Sequence, residues 1–103
     1  MTRYAIFQLP EDNVNIRDLY FMTPKQIEEI SDQFELVARV DARSLETVFR
    51  IANFICEEDK SLIEIYGEMH SLSVGDIVQN LDDDKTFVCA KVGWVEIQMK
   101  ECV

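Results

Sequence analysis

The chain has 103 residues, enough for one core, and its hydrophobic fraction of 48% with 10% aromatics suits a globular fold. Three Gly and two Pro argue against a linker or a disordered tail. Twenty acidic against ten basic residues leave a formal net charge of −10 and no basic run, which disfavours a nucleic-acid reader or an anionic-membrane binder.

In chain order, residues 3–9 form an opening strand with Tyr4, Ile6 and Gln8 on one face and Ala5, Phe7 and Leu9 on the other, ended by Pro10. Residues 11–22 form a polar turn and a connector whose Leu19, Tyr20, Phe21 and Met22 tuck toward the core without periodicity. Thr23-Pro24-Lys25-Gln26 is a helix start in which Thr23 and Gln26 make a capping box and Pro24 needs no amide partner. Ile27 and Ile30 mark the buried side of this short helix. A second strand covers residues 34–40, with Phe34, Leu36, Ala38 and Val40 facing one way and Glu35, Val37 and Arg39 the other.

Asp41 opens the clearest helix. Leu45, Val48, Phe49, Ala52 and Ile55 recur at helical spacing, Ile51 and Phe54 widen the stripe, and Glu46 can pair with Arg50 one turn later. The run Cys56-Glu57-Glu58-Asp59-Lys60 is a solvated end. Residues 62–66 alternate like a strand or an extended loop, residues 67–73 are loop, and residues 74–78, 86–92 and 94–99 are strands, the first two joined by a polar hairpin over 80–85. The expected fold is a single α+β domain over residues 1–103, a two-layer sandwich with a mainly antiparallel sheet and two helices on one face.

No reaction is announced. The only histidine, His70, lies near Ser71, Ser73 and Asp76, but a local cluster is not a triad and G-x-S-x-G is absent, so no catalytic residue is assigned. Asp82-Asp83-Asp84 lacks the Gly and distal Glu of a calcium loop, and no phosphate-cradling glycine motif occurs; neither a metal nor a cofactor is expected. Cys56, Cys89 and Cys102 have no C-x-x-C spacing, which fits reduced thiols. The amino-terminal apolar run is too short for a signal peptide and no stretch reaches a membrane span, so a cytoplasmic location is expected, in whichever cell makes the chain.

His70-Ser71-Leu72-Ser73-Val74-Gly75-Asp76-Ile77-Val78 resembles the hallmark segment of the YodL-like small domains of Firmicutes and their phages, plasmids and conjugative elements. Tyr4-Ala5-Ile6-Phe7-Gln8-Leu9, Phe21, Phe34-Glu35-Leu36-Val37, Leu45-Glu46 and Val92-Gly93-Trp94 are similar to that pattern in the same order. The family tends to carry tyrosine in place of Phe34 and Gly-Phe in place of Gly93-Trp94. The resemblance implies a small domain tied to mobile elements and brings no catalytic residues.

Charge, size and resemblance together lead to an expected non-enzymatic protein that binds and inhibits a host protein. Its most specific form is an anti-defence inhibitor, anti-CRISPR or anti-restriction, whose acidic face imitates nucleic acid and occupies a defence nuclease. Glu28, Glu29 and Asp32, Glu57, Glu58 and Asp59, and Asp82, Asp83 and Asp84 are the expected partner-binding residues. The alternative is a regulatory module for a host structural or cytoskeletal protein, docking through apolar contacts among Tyr20, Phe21, Tyr66 and Trp94.

Overall fold

The computed structural model describes residues 1–53 and 57–100. Six strands form one antiparallel sheet: β1 (Thr2–Gln8), β2 (Glu35–Ala42), β3 (Ile63–Ile65), β4 (Ile77–Asn80), β5 (Thr86–Cys89) and β6 (Trp94–Ile97), in the order β3-β2-β1-β4-β5-β6. Two α-helices, α1 (Pro24–Glu29) and α2 (Leu45–Asn53), and short 3₁₀ turns at Leu19–Phe21, Ser31–Gln33 and Glu57–Leu62 complete the α+β fold.

The strand apolar on both faces lies in the middle. Ile6 of β1 meets Ala38 of β2 and Val78 of β4, and this face collects Tyr4, Val40, Val48, Ile51 and Leu72. Phe7 meets Ile77 on the reverse, where Leu9, Leu19, Ile27, Phe34, Val88 and Ile97 form a second cluster. Helix α2 covers the first face through Val48, Ile51 and Ala52, and α1 with the connector covers the second through Ile27 and Leu19. The expected antiparallel α+β architecture holds, but the helices lie on opposite faces rather than on one. The reason is β1 itself: a strand apolar on both sides requires cover on both.

Local departures have equally local causes. Between Ile6 and Phe7 the pairing steps from Ala38 to Leu36, leaving Val37 as a bulge. Val37 therefore joins Ala38 and Val40 in the α2-side cluster, while Phe34 packs in the other, so residues 34–40 do not alternate uninterrupted. β2 continues through Asp41, which pairs with Arg3 at 3.2 Å, and α2 starts later behind Ser44, whose Oγ accepts from the Thr47 amide. Arg50 bonds Asp59 at 2.9 Å instead of Glu46, and Asp59 is buried rather than solvated. The stripe residues Phe54 and Ile55, together with Cys56 and Cys102, fall outside the described residues. Thr23 and Gln26 form the expected capping box.

β4 begins at Ile77, not at residue 74, because Val74 and Gly75 form a turn with Gly75 at φ +98°. β5 ends at Cys89 because Lys91 and Val92 form the tip of a hairpin closed by the Ala90 amide on the Gly93 carbonyl at 3.0 Å. A Cβ on Gly75 would overlap Leu19 Cγ and sit 3.1 Å from the Leu19 carbonyl oxygen. Leu19 is a core residue, so this close approach clamps the 11–22 connector onto the turn before β4. Gly75→Ala combines left-handed backbone strain with overpacking and should lower the unfolding free energy by about 2–4 kcal/mol in denaturant titration.

Candidate functional site

Residues 70–73 run beside the sheet without pairing to a strand, so their backbone groups need other partners. Two side-chain amides supply them. Gln8, at the end of β1, donates from Nε2 to the His70 carbonyl at 3.0 Å and accepts the His70 amide on Oε1 at 3.2 Å. Asn53, at the end of α2, donates to the Leu72 carbonyl at 3.0 Å and accepts the Leu72 amide at 2.6 Å. Each amide side chain thus reproduces the two bonds that a neighbouring strand would make.

Asp76 closes this network from below. Its side chain is fully buried, and Oδ2 accepts from Gln8 Nε2 at 3.1 Å and from the Ser73 amide at 2.9 Å, while Oδ1 is buried without a partner. Burial pushes its carboxyl up to about 6, against the lowering effect of the Ser73 and Gln8 bonds and of the nearby His70. Cys89, a buried free thiol, is pushed up by burial and by the Asp76 charge. His70 Nδ1 lies 2.9 Å from the Ser71 carbonyl, not from a serine hydroxyl, and Nε2 is buried without a partner. The arrangement fixes the course of the chain, and the Ser73 hydroxyl donates to Asp76 Oδ2 at 3.5 Å.

What this segment holds open is a concave surface. A cavity of about 830 Å³ is lined by Gln8, Glu11, Asp12, Glu35, Glu68 and His70 among others, and none of its lining residues is Lys or Arg. Four carboxylates thus share one hollow. They come from the turn after β1, from the start of β2, where Glu35 pairs with Gln8, and from the loop after β3. No linear run announces them, and the sequence signs were indirect: the Pro10 turn ends β1 beside the strand that Glu35 begins.

The expected partner-binding acids are distributed differently. Glu28 and Glu29 of α1 and Asp32 of the following turn lie on the α1 side, where Glu28 accepts the Gln98 amide at 2.7 Å. Glu57, Glu58 and Asp59 occupy the turn beside β3 on the α2 side, with Glu57 bonded to Lys60 at 2.8 Å and Asp59 to Arg50. Asp82, Asp83 and Asp84 form the β4–β5 hairpin tip, where Asp83 Oδ1 accepts the Lys85 amide and Asp84 adopts a left-handed φ of 62°. The Tyr4 hydroxyl is pushed up first by burial and then by the charges of Asp83, Asp82 and Glu46. The nine residues are therefore gathered on neither face alone. Among the described residues no group of three His, Cys, Asp or Glu is placed to hold a metal ion, and no helix is long and apolar enough to cross a membrane.

The aromatic candidates separate by exposure. Trp94 is half-buried against the α2-side core, whereas Tyr20, Phe21 and Tyr66 are exposed, Phe21 by 76%. Tyr20 and Phe21 meet edge to face at 5.3 Å, with Lys91 Nζ 4.7 and 5.7 Å above their rings. They rim a second cavity of about 350 Å³ floored by Ile27, Val74 and Val88. Comparison of the chain with family models, curated proteins and solved structures finds no match.

The folded state keeps the Asp76 proton to a higher pH than the unfolded chain, so between about pH 4 and pH 6 its contribution to stability falls as pH rises, by at most about 1.4 kcal/mol per pH unit. Asp76→Asn retains an oxygen for Ser73 and Gln8 and removes the charge. The difference in unfolding free energy between the parent and this variant should therefore slope across that window and flatten above it. Asp76→Ala, which also removes the acceptor for Ser73 and Gln8, should lose about 2–4 kcal/mol below about pH 4 and progressively less as pH rises through the window. A flat difference for the Asn variant would contradict the raised carboxyl.

Proposed function

We propose that this protein is a non-enzymatic inhibitor that binds a basic surface of a host protein, in the manner of an anti-defence factor carried by a phage or mobile element. The observation that carries this reading is the cavity lined by Glu11, Asp12, Glu35 and Glu68 without Lys or Arg, set in a molecule of net charge −10. Carboxylates gathered around one hollow compete for arginines and lysines that otherwise hold phosphates. Three side-chain ion pairs occur among the described residues, against ten acidic residues in excess, so most of the negative field is available to a partner. The resemblance to YodL-like domains agrees with a mobile-element origin.

The exposed Tyr20 and Phe21 favour a second reading, a regulatory module that docks apolar side chains on a host structural or cytoskeletal protein. Salt separates the two. Affinity capture of the tagged chain from host lysate should retain a nuclease or other nucleic-acid-handling defence protein at low ionic strength and release it as salt rises toward about 0.5 M. Retention of a filament protein that withstands this salt favours the second reading, and capture of neither class counts against both.

A further inference from the structure

The acidic cavity and the aromatic cavity are not separate. Between them lies a third hollow of about 320 Å³ that shares Glu11 and His70 with the acidic one and Tyr20 and Val74 with the aromatic one. The three form one trough. It follows residues 67–74, the stretch that Gln8 and Asn53 hold extended. Its far wall is the connector that Gly75 clamps through Leu19. The two ends differ in chemistry: four carboxylates without Lys or Arg at one, and at the other two exposed rings that already seat an ammonium beside an aliphatic floor.

We infer that this trough is a peptide groove whose occupant is an extended segment of a partner protein, with basic side chains in the acidic end and a large apolar side chain between Tyr20, Phe21 and Val92. The inference rests on the reading of the protein as a protein-binding module and deepens it by placing the contact. Charge complementarity sets the orientation, because the acidic end attracts arginine or lysine and Lys91 discourages further cations at the aromatic end. An apolar anchor in a pocket with a charged contact beside it is the pattern of a small, specific interface. A polyamine fits one end only, and a second copy of this chain brings like charge to the acidic end.

The test uses the whole chain, labelled with ¹⁵N, and a capped eight-residue peptide carrying two arginines at one end and leucine-phenylalanine at the other. Fully extended it spans at most about 28 Å, on the scale of the 35 × 30 × 28 Å molecule. Amide shifts at Glu68, His70, Val74, Tyr20 and Phe21 should move together on titration. Glu68→Lys and Phe21→Ser alter exposed side chains, leave the core intact, and should each weaken binding by about tenfold or more. Peptides with glutamates for the arginines, or alanines for the apolar pair, should show comparable losses.

Shifts confined to one end, equal shifts with spermine, or self-association that occupies the groove without peptide would each overturn the inference. If a captured host partner binds the two variants as tightly as the parent chain, the groove is not its contact and this inference falls while the inhibitor reading survives. If the peptide binds the groove but no host protein is retained by the chain, the groove stands and the inhibitor reading falls.

Discussion

The structure depends on a buried amide, the side chain of Gln8. Its position on β1 faces the α2 side with Tyr4 and Ile6, where a third apolar residue would ordinarily stand. An unpaired primary amide there would be costly, and Gln8 avoids that cost by satisfying His70 twice and Asp76 once. This ties the end of the central strand to a segment more than sixty residues away. Asp76 in turn accepts from Ser73 and leads directly into β4, the neighbour of β1 on the other side. The polar link thus fixes both the register of two central strands and the path of the loop between them.

A consequence is that residues 67–76 have a fixed course although none of them belongs to a strand. Loops of this length are commonly mobile unless their backbone groups are matched. Here Gln8 and Asn53 match two residues in full, and Leu72 is buried between α2 and the sheet. On the other side, Gly75 lets Leu19 approach so closely that the connector before α1 becomes the facing wall. Two irregular segments therefore face each other across a concave surface, each anchored to a different core cluster.

Much of the fold was legible in residues of strong local character. Thr23 and Gln26 announce a capped helix, the alternation from Tyr4 to Leu9 announces a strand, and Asn80 to Lys85 announces a hairpin. The same β1 alternation also held the sign that both faces need cover, since Tyr4 and Ile6 on one side and Phe7 and Leu9 on the other are all bulky. Reading it as a one-faced sheet strand gave the wrong helix placement. The bulge at Val37 was hidden because an extra residue changes which side chains share a face without changing composition. The acidic cavity was hidden for another reason: runs such as Glu57-Glu58-Asp59 stand out in sequence, while Glu11, Asp12, Glu35 and Glu68 converge only through the pairing of β2 with both β1 and β3.

That contrast bears on how an acidic protein acquires specificity. A run of carboxylates on an exposed turn attracts any cation, and salt screens it readily; Glu57, for example, is bound to Lys60 one turn away. The carboxylates around the cavity come instead from separate elements, the turn after β1, the start of β2 and the loop after β3, and are brought together by the fold. In the proposed groove the aromatic end would add contacts whose strength does not depend on ionic strength, so that selectivity for a basic segment followed by an apolar side chain would not rest on charge alone. In this molecule the buried Gln8–Asp76 network and the field of exposed carboxylates are parts of one arrangement, the first holding in shape the surface on which the second acts.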